Sequence, residues 1–345
     1  MPAQILALFA AETLSRASDG QPDAIRQFAP EFATLHLMAA PGKTVKRVSD
    51  SPASNALTSR DNRWLKDFRM ALRGGLPTES GAAGVEGVRL VEEALRSGCR
   101  IAAVLFSESG QRHQERLAPL IGRPETGFPV LRTTDRLFEG LADTEHPQGV
   151  SALVYPRTAT LEELLQRRPG VCAPLLVVLA GVQDPGNVGT ILRTASAFGA
   201  SGAVTAASGQ SGTASPFSPK ALRASAGAAL HLPILPGMSL AILQTQLRIA
   251  GVQTLASSSH EQQTAEPHAL LPWEVDWCQP IALLVGNEGA GLPEEVERSA
   301  DARVRIPMSR GAESLNAAAA AAVLLYEAAR QRNLTKQSSS SGANT

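Results

Sequence analysis

Five polar residues stand where short apolar runs end in the C-terminal half of the chain: Asn187 and Arg193 in DPGNVGTILR, Glu288 in GNEGAG, and Ser314 and Asn316 in ESLN. None of them is a His or a Cys, so the activated nucleophiles of covalent hydrolysis are poorly supplied. Each also has a plain structural reading. Asn187 can cap the helix that follows it, with Arg193 an ordinary surface residue, and Glu288 can cap the next helical stretch. Asn316 precedes AAAAAAVLLYEAAR, which reads as an ordinary helix behind a preferred N-cap. Around Glu288, Gly286, Gly289 and Gly291 fall within six residues, which points to close approach by a ligand or by another piece of chain. The spacing is not the G-x-G-x-x-G of a dinucleotide site, so a nicotinamide-dependent dehydrogenase is excluded.

The elements that must position these residues alternate. LLVVLA reads as a buried strand, VGTILRTASAFGA as a helix, GAVTAA as a strand, SPKALRASAGAAL and LAILQTQLRIA as helices, and VQTLAS and IALLVG as strands. PEEVERSA is a short helix, RVRIP a strand, and the alanine run is the last helix. Short apolar strands alternating with helices predict an α/β fold whose parallel sheet is covered on both faces. Ligands of such sheets lie beyond the carboxyl ends of the strands, where the five polar residues fall.

Upstream, residues 59–156 read as a smaller α/β unit: a helix over Asn62–Leu72, a second over Val85–Ser97, and the strands IAAVLF, PVLRTT and GVSALVYP. Residues 1–58, rich in Ala, Pro and Ser, read as a flexible extension. Residues 157–173 form a linker, 174–332 the larger unit, and 333–345 a low-complexity, disordered tail. The 345 residues thus divide into two domains with tails, and the formal net charge is zero. Three cysteines, far apart and in no ligand spacing, imply a reducing compartment, the cytoplasm, with no disulfide framework and no metal site. No apolar run reaches the roughly 20 residues of a membrane span.

DPGNVGTILRTASAFG, LLVGNEGAGL and IPMSRGAESLNAAAAAAVLLYEA, in that order, resemble the three signature motifs of the SpoU (TrmH-type) RNA 2′-O-ribose methyltransferases. SRDNRWLKDFRMALR, VEGVRLVEEAL and HPQGVSALVYP are similar to the substrate-binding domain often fused to them. The resemblance implies a SPOUT-type parallel sheet with a deep trefoil knot, preceded by a small RNA-binding domain. It implies transfer of a methyl group from S-adenosyl-L-methionine to a ribose 2′-hydroxyl, on ribosomal RNA, by a homodimer whose active sites lie near the interface. Transfer RNA as substrate, or a non-catalytic ribosome-assembly protein on the same fold, are the alternatives.

Carried onto this chain, the resemblance assigns Arg193, Asn187, Glu288, Ser314 and Asn316 to the active site. It assigns Ala256, Gly286, Ile306 and Leu315 to the cofactor pocket, held mainly through backbone groups. The family's proposed base is the arginine, yet a guanidinium stays protonated to about pH 12 or beyond, so clamping a phosphate suits Arg193 better. The third motif is pure alanine where the family mixes in valine or serine, which bears on how the last helix packs. For RNA contact, residues 40–73 carry eight Lys or Arg against three Asp. Among them Arg60, Arg63, Lys66, Arg69 and Arg73 recur at helical spacing, either as a phosphate-binding stripe or as a solvated face.

Overall fold

The computed structural model describes residues 56–122, 127–166, 173–207, 212–258, 269–309 and 314–341, with side chains to Asn333. Most of the expected N-terminal extension, with Lys43, Lys46 and Arg47, lies outside the described residues, as do parts of the linker and of the tail.

The first sheet carries five strands in the order β1-β4-β3-β5-β2, from β1 (Ala56–Leu57), β2 (Ala83–Glu86), β3 (Arg100–Ser107), β4 (Val130–Thr133) and β5 (Val150–Tyr155). β1 and β3 run parallel to β4, while β2 and β3 run antiparallel to β5. Helix α1 (Arg63–Leu72) begins behind Asn62, whose side chain accepts the Trp64 N–H, and buries Leu65, Phe68, Ala71 and Leu72. The second helix starts later than its sequence suggests. Ala83–Glu86 is a strand buried at all four positions, Gly87 breaks the chain at φ 93°, and α2 occupies Val88–Arg96. Two more helices, α3 (Gln114–Ile121) and α4 (Asp135–Glu139), follow β3 and β4, and α5 (Leu161–Leu165) leads out of the sheet behind a Thr160–Glu163 capping box.

The second sheet has six strands in the order β11-β9-β10-β6-β7-β8, each pair parallel. They are β6 (Leu175–Ala180), β7 (Gly202–Ala207), β8 (Ile234–Ser239), β9 (Gln253–Ser258), β10 (Ile281–Val285) and β11 (Ala302–Arg305). Burial on both faces explains why β6 is an unbroken apolar run. Leu175, Val177 and Leu179 enter one hydrophobic cluster, and Leu176, Val178 and Ala180 enter the other. The first face is covered by α6 (Pro185–Ala197), α7 (Pro219–Ala224) and α10 (Ala317–Ser341), and its cluster runs on into Val85, Val88 and Val91 of the first sheet's unit. The second face is covered by α8 (Leu240–Ile249) through Leu240, Leu243 and Leu247. A short helix, α9 (Glu294–Ser299), precedes β11.

Three features depart from expectation. SPKALRASAGAAL is not one helix, because Ala226 (φ 49°) and Gly227 (φ 86°) turn left-handed between α7 and a 3₁₀ turn at Ala228–Leu230. ILPGMS forms strand β8, whose Pro and Gly are tolerated because it is the sheet edge. The last helix continues to Ser341, past Arg332 where the domain was expected to end. Helix α6 lies close on α7, and Gly189 permits it: a Cβ there would stand 2.3 Å from the Ala221 carbonyl oxygen.

Within the larger sheet, β6, β7 and β8 succeed one another in one direction, while β10, β9 and β11 lie on the other side of β6. The crevice at the carboxyl ends of β6 and β10 is therefore the point where the strand order reverses, the favoured ligand position of such a sheet.

Candidate functional site

Strand β6 ends in a tight loop that hands the chain to α6. Pro185 occupies the first turn, and the cap is Asp184, whose Oδ2 accepts the Asn187 N–H at 3.2 Å. Asn187 is therefore not the cap. Its side-chain amide is left for other work and is used at both ends. Nδ2 donates to Glu288 Oε1 at 2.8 Å, and Oδ1 accepts from Asn316 Nδ2 at 3.0 Å. Asn316 in turn caps α10, its Oδ1 accepting the N–H groups of Ala318 at 2.9 Å and Ala319 at 3.3 Å. One side chain thus both caps the helix and meets Asn187.

Glu288 sits on the loop after β10 and accepts three N–H groups: Asn187 Nδ2, Gln183 N and Asp184 N, the last two at 3.3 Å. Burial pushes its carboxyl up, but the Asn187 amide and the backbone N–H groups outweigh burial and leave it below the ordinary 4.5. A carboxylate so fully occupied is an anchor for the loops rather than an acceptor waiting for a proton. Asp184 is also held below its ordinary 3.8, chiefly by Lys220, whose Nζ lies 2.5 Å from Oδ1. The adjoining Asn287 closes its own loop: its Nδ2 donates to the Gly181 carbonyl at 2.9 Å, and its Oδ1 accepts from Gly289 and Ala290.

Beside this cluster is a cavity of about 360 Å³. Its walls are Ser257 and Ser258 at the end of β9, the loop Gly286–Leu292, Ile306 and Met308 after β11, and Ser314 and Leu315 before α10. Gly286, Ile306 and Leu315, assigned above to the cofactor pocket, line this cavity. Ala256 is not: it is fully buried beneath the cavity, and the next two residues of its strand form the wall. At Gly286 the close approach is by another piece of chain. A Cβ at Gly286 would stand 2.4 Å from Gly291 C and 2.5 Å from Leu292 N, so the loop's own returning backbone requires the glycine. Gly291 makes that return at φ 69°, with Asn287 and Gly291 exchanging backbone hydrogen bonds at 3.0 Å. Gly289 meets only Asn287 Oδ1, at 3.6 Å.

The volume falls within the range of small-molecule sites, and apolar Ile306, Met308 and Leu315 face a loop rich in backbone N–H and C=O groups. A flat heterocycle with a polar tail fits such a wall. S-adenosylmethionine has this shape.

Two of the expected catalytic residues stand apart from the three-residue cluster. Ser314 lines the cavity and is exposed. Arg193 is exposed on α6, six residues beyond Asn187 and so about 9 Å along the helix and a third of a turn around it. Among the basic residues of the first unit, Arg63, Lys66 and Arg73 are exposed, Arg69 is half-buried, and Arg60 precedes α1 in a turn. Lys66 and Arg63 lie near Asp61 and Asp67, at 3.4 and 3.9 Å. Reading along the chain missed Asp184, Lys220, Ser257, Ser258 and Met308. The Asp preceding Pro-Gly was a signal for the cap, since Asp ranks with Asn at that position.

Comparison with known proteins shows the family. The family model of the SpoU rRNA methylase family matches residues 174–326, and that of the MRM3-like substrate binding domain matches 78–152. The chain is 34% identical over 278 residues to an uncharacterized tRNA/rRNA methyltransferase of Synechocystis, covering 80% of this chain and 94% of that one. It is 30% identical over 270 residues to the 23S rRNA (guanosine(2553)-2′-O)-methyltransferase RlmP of Bacillus subtilis, covering 78% and 97%. Among solved structures, the AdoMet-bound rRNA methyltransferase from Sinorhizobium meliloti superposes with a TM-score of 0.66 at 32% identity, covering 80% of this chain and 97% of that one.

Proposed function

This chain belongs to the SpoU rRNA methylase family, and from that premise we infer that it methylates a ribose 2′-hydroxyl of ribosomal RNA, using S-adenosylmethionine. The observation that carries the inference is the Glu288–Asn187–Asn316 chain of hydrogen bonds beside the 360 Å³ cavity. It joins three loops into one rigid mouth where a ribose can meet a bound cofactor.

The cofactor supplies an activated methyl group when bound. The residues that would hold it are Ser257, Ser258, Gly286, Ile306, Met308 and Leu315, the walls of the cavity. The protein's own task is orientation, because a sugar hydroxyl is a weak acid and an in-line displacement needs its oxygen at near-attack distance, about 3–3.5 Å. Asn187 and Asn316 lock each other, Glu288 anchors both to the β10 loop, and the exposed Ser314 hydroxyl lines the same mouth. Arg193 carries a permanent charge and no partner among the described residues, which suits a phosphate of the bound RNA.

The same reading extends to the RNA-contacting face of α1, the knot and the dimer. β11 lies at the sheet edge beyond β9, yet by Asn316 the chain is back against Asn187 beside β6. A threaded, knotted path accounts for that return. On α10, Val323 and Tyr326 are 43% and 58% exposed, and Tyr326 meets Phe198, the C-cap of α6, edge-on at 5.8 Å. An apolar face of this kind on the helix that starts at the mouth suits a second copy of the chain. Among the described residues no helix is long and apolar enough to cross a membrane, and the cytoplasm, where ribosomal RNA is made and modified, is the proposed compartment.

The test is methylation of unmodified 23S rRNA transcribed in vitro, with the product site mapped by resistance of the ribose to alkaline cleavage. Wild type is expected to protect one linkage. Arg193→Ala is expected to abolish turnover while leaving cofactor affinity intact. A wild-type chain that binds the transcript and protects no linkage would favour the non-catalytic assembly role.

A further inference from the structure

Lys220 lies outside every motif that pointed to the mouth, yet it is tied to it. It occupies the second position of α7, behind Pro219 and the Ser218 cap, and its ammonium contacts Asp184 Oδ1 at 2.5 Å. Its stem crosses Gly186, where an added Cβ would lie 3.5 Å from Lys220 Cε. The helix that delivers it is held on two sides. On one side the Ala221 carbonyl and Ser225 amide close on Gly189 of α6. On the other, Arg223 pairs with Asp143 of the first sheet's unit at 2.5 Å, and Gly227 abuts Glu93 of α2.

Asp184 is the junction. One carboxylate oxygen faces Lys220, the other accepts the Asn187 N–H, and its own backbone N–H donates to Glu288 Oε1. We infer that Lys220 is a positioning residue for methyl transfer, which holds Asp184 so that Asn187 and Glu288 keep their mutual geometry. The inference rests on the methyltransferase reading above. An exposed ion pair contributes little to overall stability, so a role of this kind shows in rate rather than in folding. The charged group bonded to the Asp184 carboxylate is Lys220, while Glu288 accepts from the Asp184 backbone N–H, so loss of the ammonium leaves the carboxylate held only by backbone N–H groups.

The experiment compares full-length wild type, Lys220→Met and Lys220→Arg on the 23S transcript. For Lys220→Met, kcat is expected to fall about ten- to a hundredfold, a cost typical of small misplacements remote from the reacting atoms. KM for the transcript and the calorimetric Kd for S-adenosylmethionine are expected to stay within about twofold of wild type. Lys220→Arg should recover most of the rate. The acid limb of the rate profile should move toward neutral pH in Lys220→Met, as Asp184 loses the ammonium that depresses its pKa. A change confined to KM for the transcript and its salt dependence would make Lys220 an RNA-binding cation and overturn the inference. So would an unchanged kcat with an unmoved acid limb. A carboxyl NMR titration of Asp184 in the free protein reads the contact without turnover. If Lys220→Met shifts it while wild type methylates nothing, the lock stands and the methyltransferase reading falls.

Discussion

Gly286→Ala separates the loop's own needs from those of a ligand. The new methyl carbon would stand 2.4 Å from Gly291 C, 2.5 Å from Leu292 N and 2.6 Å from Gly291 O, all backbone atoms that no rotamer change can move. Restoring ordinary contact requires the two arms of the loop to part by about 1 Å, and insertions of this kind cost about 1–3 kcal/mol. The parting acts on the paired 3.0 Å hydrogen bonds between Asn287 and Gly291, and hence on the cavity wall from Gly286 to Leu292. If the cofactor requires the closed loop, that cost appears as a Kd for S-adenosylmethionine raised about 5- to 150-fold. Titration calorimetry measures it, with urea unfolding alongside. Gly289→Ala is the control, since its methyl meets only Asn287 Oδ1 at 3.6 Å and should leave stability within about 0.5 kcal/mol of wild type. A Gly286→Ala protein that binds cofactor as tightly as wild type would refute the account of this loop.

Asn316→Asp keeps the cap, because Asp and Asn serve equally at that position, but it loses the Nδ2 donor to Asn187. Thermal unfolding should hardly change while turnover falls about a hundredfold. Asp184 and Glu288 both titrate below their ordinary values, 3.8 and 4.5, so the stability they contribute is complete above those values. It drains away as pH falls through the lower folded-state values, and a series of unfolding curves below about pH 4.5 should show a slope that Glu288→Gln flattens. On α1, replacing Arg63, Lys66 and Arg73 together by Gln should flatten the dependence of RNA affinity on salt by about 0.9 per lost phosphate contact in a log–log plot for a duplex, and about 0.7 for a single strand. An unaltered slope would mark this as a solvated face.

The mouth was legible along the chain because its residues interrupt apolar strands at their carboxyl ends. Asn187, Glu288 and Asn316 are polar side chains at the loops after apolar strands, and Asn187 bonds to both of the others. What could not be read there depends on depth and distance. Ala256, Ser257 and Ser258 follow one another in one strand, and burial ends between the first and the second as the strand nears its carboxyl end, a boundary no local pattern marks. β2 was hidden because four residues buried on both faces carry no alternation, and AGVE joins smoothly to the helical pattern after it. β8 was hidden by its own Pro and Gly, which only an edge position tolerates. The part played by Lys220 rests on a partner 36 residues away, which no local pattern announces.

The amide of Asn187 is bonded at one end to a residue 101 positions later and at the other to one 129 positions later. Closing loops of such length is entropically late in folding, and nothing local rewards it in advance. The mouth therefore forms only after the sheet is complete and the last helix has docked. With the mouth as the active site, as proposed above, a nascent or half-folded chain has strands and helices but does not yet modify RNA. Activity in this protein is in effect a report that folding has ended.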